Sequence, residues 1–454
     1  MANTMNTIEK YIEVVDSNQD LTIQCATIKS LFELSSPPKK GDEEQTQLVL
    51  DDNQYNNRLF EDELRRYRGT IIDSKTKAIV QEGSFFPYEF TCSEKTECKE
   101  KMAELNHKLE DMKINYSYEG TIIRIFYHKQ WYISTHRKLD SGRSKWGSSN
   151  SFKFLFEEGL KESYNLSFKD LFTRLNLRCQ YTFMVMADKN TRFVCVGKHS
   201  KKVYFVGSND PEEKNLNVDK LPEPSEDIKS STSLDQIFEF VNQMTYPFTY
   251  QGLLLVHSQG SQYRIISDEY SRMFKVRNNE QSIPYRYLQL KGRNDQSSIE
   301  LLKQLFPEYI PTFESHNQCV STLVDIIFVE YNKRKQRSLL PSDLTTVHQI
   351  DQKLYLFIKN KLLGSRDVSR EKIEELLWLE EPSNLNHMIR MVKFNELKQR
   401  KEEEQKLIVE MEKVKLDSTP NNPVPTPSTG APKKGKKVKY TKIPIDFTCR
   451  KKLF

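Results

Sequence analysis

YSYEGTIIRIF, residues 116–126, sets an acid and a glycine directly before a β-branched run. A polar turn followed by such a run predicts a strand opening at Gly120. Working outward, the same grammar recurs in RGTIID (68–73), KAIVQE (77–82), QWYISTHR (130–137), YTFMVMA (181–187), RFVCVG (192–197), KVYFVG (202–207), YQGLLLVH (250–257) and YRIIS (263–267). Helical patterns interrupt these strands over 94–115, 150–163 and 234–244. Antiparallel hairpins with inserted helices, rather than alternating βαβ units, predict an α+β domain.

After Gly292 the spacing becomes helical, as in Val320, Leu323, Ile326, Ile327 and again in Leu354, Phe357, Ile358, Leu362. A last helix opens near Ser383 or Asn384 and runs into KQRKEEEQKLIVEMEKVKL, expected to be solvated, with a coiled-coil partner as the alternative. The expected organisation is an N-terminal segment and loop (1–57), an antiparallel-sheet domain (58–292), a helical domain (293–416) and a disordered Pro/Lys-rich tail (417–454).

The formal charge is +6. Nine of the 69 basic residues but only two of the 63 acidic ones lie from Leu416 onward, so the tail carries +7 and the remainder −1. PKKGKKVK is read either as a nuclear-import or nucleic-acid segment or as a solubilising tail. The seven cysteines form no CxxC pair and no zinc spacing, which predicts reduced thiols and no metal site. Neither a secretion signal nor a membrane span is expected, which predicts an intracellular protein of the cytoplasm, with the nucleus as a further destination if the tail is an import signal.

A local charge excess does exist. Arg124, Lys129, Arg137, Lys138, Arg143, Lys145 and Lys153 face a single acid, Asp140, with Trp131, Tyr132 and Trp146 among them. Cations that neutralise phosphates and aromatics that stack bases are the means of holding single strands. The alternative is that the charges solvate the outer face of a hairpin. A second stretch adds Arg264, Arg272, Lys275, Arg277, Arg286 and Lys291. RNA or single-stranded DNA is therefore the expected ligand, through Arg124, Lys129, Trp131, Arg137, Lys138, Arg143, Lys145, Trp146, Lys275 and Arg277. Host or viral proteins are the partners expected of the helical region and tail.

RGTIID with FFPYEF (85–90), EGTIIRIF with the hairpin after it, YTFMVMADKNTRFV (181–194), and YQGLLLV with YRIISDEY (250–270) resemble, in order, the nucleotidyltransferase motifs of phage-type RNA ligases. That resemblance implies a nucleotidyltransferase-like fold. It also places Ser117 where such enzymes carry the nucleophilic lysine, Met184 and Gln251 where they carry carboxylates, and Arg264 and Ile266 where they carry a lysine pair. Glu119 and Gly120 alone persist. A serine cannot form the phosphoramidate that a lysine of lowered pKa forms, so no catalytic residue and no cofactor is expected. An alternative frame takes Lys138 with Asp140, in KLDSGR, as a shifted nucleophile motif, and would need ATP or GTP with magnesium. EGTIIRIF, WYISTHRKLDS, PYRYLQL and LNHMIR together resemble the iridovirus immediate-early infected-cell protein family, over about residues 65–395. Membership implies a viral protein made early in infection and supplies no activity.

Overall fold

A computed structural model of the chain describes residues 12–26, 61–187, 191–196, 202–210, 215–336, 352–362 and 368–417. The loop expected at 36–57 and the tail after 417 lie outside the described residues. Met1–Val392 form one compact unit and Lys393–Phe454 a second.

Twelve strands make three four-stranded sheets. The first joins β1 (Ile12–Ser17), β2 (Leu21–Ala26), β3 (Arg68–Asp73) and β4 (Ile79–Gln81), all antiparallel. The second is ordered β10 (Val203–Ser208), β9 (Tyr181–Met186), β7 (Gly120–His128), β8 (Gln130–Ser134). In the third, β5 (Tyr88–Thr91) runs parallel to β12 (Gln262–Ile266), and β12, β11 (Gly252–His257) and β6 (Met112–Ser117) follow antiparallel. The protein is thus α+β with antiparallel sheets and a helical C-terminal region.

Besides a helical turn at 61–65 and several 3-10 turns, the described helices are α1 (Lys95–Glu104), α2 (Phe152–Tyr164), α3 (Phe168–Phe172), α4 (Glu226–Lys229), α5 (Leu234–Asn242), α6 (Asp268–Arg277), α7 (Ile283–Gly292), α8 (Gln296–Leu305), α9 (Ile310–Gln336), α10 (Gln352–Phe357), α11 (Arg370–Trp378) and α12 (Pro382–Asp417). Ser151, Ser233, Ser267, Ser282, Asp295 and Ser369 each stand before a helix and accept a backbone N–H from its first turn. Those caps satisfy donors that the helix itself leaves open, and they fix where each helix begins. At α12 the side chain of Glu381, rather than Ser383 or Asn384, accepts the first amides. Beyond Val392 that helix exposes both its charges and Phe394, Leu397, Leu407 and Ile408.

Pleat alternation sorts the opening stretch between two cores. Ile123 and Ile125 bury against α2 and α3. Phe126, from the other face of β7, meets Leu21, Ile23 and Ile71 of the first sheet. The third sheet packs on α1 and α5 through Ile114, Leu253, Tyr263 and Phe238. The largest core gathers α6 to α12 around Leu302, Val320, Leu323, Ile327 and Ile389.

Three local expectations are corrected. The stretch 94–115 is α-helical only to Glu104; a 3-10 turn at Leu109–Asp111 follows, and the end of the stretch becomes β6. Residues 192–196 form no strand: the amides of Phe193, Val194 and Cys195 are bound by the Glu119 carboxylate and that of Val196 by the Phe248 carbonyl. Residues 12–26, unassigned from sequence, form a hairpin that pairs with β3.

Candidate nucleic-acid interface

YSYEGTIIRIF is not one hairpin. β6 ends at Ser117 in the third sheet and β7 begins at Gly120 in the second, so Tyr118 and Glu119 form the crossing between them. Gly120 lies so close to β9 that a Cβ there would stand 2.7 Å from both Met184 Cγ and the Val185 carbonyl oxygen.

The crossing is held by Glu119, 4% exposed. Its carboxylate accepts the backbone N–H of Phe193 (2.7 Å), Val194 (2.8 Å) and Cys195 (3.0 Å) and the Tyr270 hydroxyl (2.8 Å). Charge-assisted bonds of this kind are the strong class. Burial, and then the Glu119 charge, push the Tyr270 hydroxyl and the Cys195 thiol well above their ordinary pKa values, so both stay protonated. Glu119 is therefore a structural tie between the sheets and α6, with all four bonds directed inward.

The other motif positions meet along this seam. Ser117 pairs with Gly252 across β6 and β11, its Oγ donates to Gln251 Oε1 at 3.1 Å, and the Gln251 amide donates to the Ser117 carbonyl at 2.7 Å. Ile266 pairs with Gly252 from β12, and Met184 pairs with Ile122. Arg264 lies two residues before Ile266 and bonds Glu89 of β5 at 2.9 Å. Lys138 stands elsewhere, in the turn after β8 at the outer edge of its sheet, and Asp140 is spent accepting the Gly142 amide.

Arg68, which the motif reading passed over, joins Arg124 and Arg264 at the junction of the three sheets. Gly69, at φ +83°, makes room: a Cβ there would meet the His136 backbone at 2.7 Å and Arg124 Nη2 at 2.8 Å. The Arg124 guanidinium donates to the carbonyls of Gly69 and Thr135. Burial first, then repulsion from Arg264, brings Arg68 down to about 10, and burial with repulsion from Arg68 brings Arg124 to about 10. Burial and the charges of Arg68, Arg124 and Arg137 push His136 down to about 3. The Nε atoms of Arg68, Arg124 and Arg264 are all enclosed and make no hydrogen bond. An Arg-Gly pair opening a strand, with glycine forced left-handed, is the sequence signal for this junction.

The ten residues expected to bind nucleic acid separate into distinct environments. Arg124 (3% exposed) and Arg277 (0%) are interior groups, which corrects their assignment to a basic surface. Arg277 donates to the carbonyls of Asn278 and Glu280 and lies over the rings of Phe193 and Phe306. Trp131 stacks on Phe172 with centroids 5.0 Å apart, and Trp146 on Phe193 at 5.7 Å, so protein rings occupy one face of each indole. The exposed cations of the first stretch meet acids of the β1–β2 hairpin: Lys129 meets Asp20, Arg137 meets Glu13 at 3.6 Å, and Lys138 and Arg143 meet Asp16 at 3.7 and 3.4 Å. Lys145 and Lys275 are exposed without an ion pair among the described residues. No group of three His, Cys, Asp or Glu among the described residues is placed to hold a metal, and no described helix is long and apolar enough to cross a membrane.

No protein-family model matches the chain. An immediate-early protein ICP-46 homolog of Invertebrate iridescent virus 3 is 55% identical over 449 residues, spanning 99% of each chain. The homolog of Invertebrate iridescent virus 6 is 28% identical over 363 residues, 71% of this chain and 78% of that one. The immediate-early protein ICP-46 of Frog virus 3 (isolate Goorha) is 25% identical over 222 residues, 44% of this chain and 56% of that one. With identity of this degree over almost its whole length, the chain belongs to the iridovirus immediate-early protein ICP-46 family.

Proposed function

We propose that this is a non-catalytic immediate-early viral protein whose degenerate RNA-ligase-like domain binds RNA or single-stranded DNA. The observation that carries the reading is the Ser117–Gln251 pair. Two positions 134 residues apart, which the ligase resemblance makes a nucleophile and a carboxylate, lie side by side and are both neutral. A ligase site needs an amine and a metal-binding carboxylate there. The exposed Lys145, and Arg137 and Arg143 once a polyanion displaces Glu13 and Asp16 from them, supply phosphate-directed charge that needs no chemistry.

Fluorescence anisotropy of the full chain with a single-stranded RNA oligonucleotide tests the binding. Salt-dependent binding that weakens in the R137A/R143A/K145A variant is expected; tight binding indifferent to those changes removes the assignment. Incubation with radiolabelled ATP or GTP and magnesium tests the chemistry. No covalent label is expected, whereas a label lost in K138A establishes the shifted-nucleophile enzyme instead.

A scaffold role is the second reading, favoured by the exposed Phe394, Leu397 and Ile408 of α12. It requires partners from infected cells that are lost when the chain stops after Val392.

A further inference from the structure

A cleft of about 580 Å³ opens where the end of β5 meets α6, α7 and α8, and none of the converging motif positions lines it. Four of its lining residues are basic: Arg272, Lys275, Arg286 and Arg293. Arg272 and Lys275 are three apart on α6 and so share a face, while Arg286 and Arg293 are seven apart on the α7 side. The Arg286 guanidinium is fixed by the carbonyl of Val276 (2.7 Å), that of Lys275 (3.3 Å) and Gln289 Oε1 (2.9 Å). Two acceptors are thus the last carbonyls of α6, which locks the two helices together behind the cleft.

The cleft's three acids are committed to the backbone and to hydroxyls. Glu94 accepts the amide (2.8 Å) and hydroxyl (3.0 Å) of Thr91. Asp268 accepts the hydroxyl of Ser93 at 2.8 Å, and Asp295 accepts the Ser298 amide and Ser297 hydroxyl, both at 3.0 Å. By contrast Arg272, Lys275 and Arg293 are exposed and make no ion pair among the described residues. A concave site with cations free, acids engaged and hydroxyls of Ser271 and Ser298 on its wall matches the donors that bind a tetrahedral oxyanion. Its volume falls within the roughly 300–1,000 Å³ of small-ligand sites.

We propose that this cleft is a phosphate-binding site that takes the phosphate group of a nucleotide-sized ligand. The proposal uses neither the Ser117–Gln251 seam nor the β7–β8 cations, and shares only Lys275 with the residues expected to bind nucleic acid.

Phosphorus NMR of inorganic phosphate added to the full chain tests it, with R272Q/K275Q/R293Q as the variant; all three side chains are exposed, so the fold is retained. Line broadening by the wild type and about a hundredfold weaker binding by the variant are expected. Absence of broadening at millimolar phosphate, or broadening that the variant retains, overturns the site. Uridine 5′-monophosphate set beside uridine separates the sources. Competition by the nucleotide but not the nucleoside supports the proposal, and failure of the nucleotide to displace phosphate overturns the nucleotide-sized ligand. Binding of an oligonucleotide without a terminal phosphate, abolished by R137A/R143A/K145A but kept by the cleft variant, reports on the ligase-like reading separately.

Discussion

The two basic regions invert what their sequences advertise. Arg124–Lys153 carries seven cations against one acid, yet Arg124 is bound by backbone carbonyls and Lys129, Arg137, Lys138 and Arg143 all face acids from residues 13–20. The cleft between the end of β5 and α6–α8 is lined by four basic and three acidic residues, yet its acids bind backbone amides and hydroxyls while Arg272, Lys275 and Arg293 are left over. Net charge counts residues, whereas binding depends on which charges the fold has already used. Exposed pairs such as Arg137–Glu13 stabilise by only about 0–1 kcal/mol each, so such acids are weak glue but effective neutralisers.

The largest expected effect comes from replacing a spent charge. Arg124→Leu strands the Gly69 and Thr135 carbonyls and should lower stability by about 3 kcal/mol or more in urea unfolding. A variant of native stability would show that the guanidinium is not a structural group. Asp16→Ala comes next. It removes the acceptor of the Leu139 amide (2.9 Å), costs about 1–2 kcal/mol, and releases Lys138 and Arg143, so affinity for single-stranded RNA should rise with a steeper salt dependence. Unchanged affinity would mean that the hairpin does not mask this surface.

A pH effect of intermediate size belongs to the same region. His136 has its pKa depressed to about 3 in the fold, below the ordinary value of 6.5. The unfolded chain therefore binds the proton first, and stability should fall as pH drops through 6.5 and keep falling toward about 3. His136→Gln should flatten that part of a urea-midpoint profile; an unaltered slope would assign it to other groups. The smallest effect is expected at the cleft, where R272Q/K275Q/R293Q should change stability by no more than about 0.5 kcal/mol. A larger loss would mean that these cations, too, are used by the fold.

Much of the architecture was legible because strand and cap signals are local. RGTIID, EGTIIRIF, YTFMVM and QGLLLVH fall on β3, β7, β9 and β11. RFVCVG misled because its apolar residues Val194 and Cys195 answer a burial demand from the helical core, while its amides at 193–195 serve a carboxylate more than 70 residues away. The hairpin at 12–26 was missed since IEVVDS is acidic and half-exposed, and only its contact with β3 and the β7–β8 face explains it. At the site, the sequence singled out Ser117 and Gln251 separately, and their adjacency across β6 and β11, like the arginine junction, comes from sheet pairing that no local pattern carries. Arg68 meets Arg124 and Arg264 only after three separate sheets have been assembled.

The Glu119 carboxylate has a consequence for how the chain assembles. Its partners lie 74 to 76 residues away at 193–195 and 151 residues away at Tyr270. Contacts of such separation carry a large loop-closure cost and are rewarded only once the flanking parts have formed. Tyr270 hydroxyl burial is thus a gauge of completed folding: partly folded chains, with the separate hairpins already made, should still titrate it near its ordinary value.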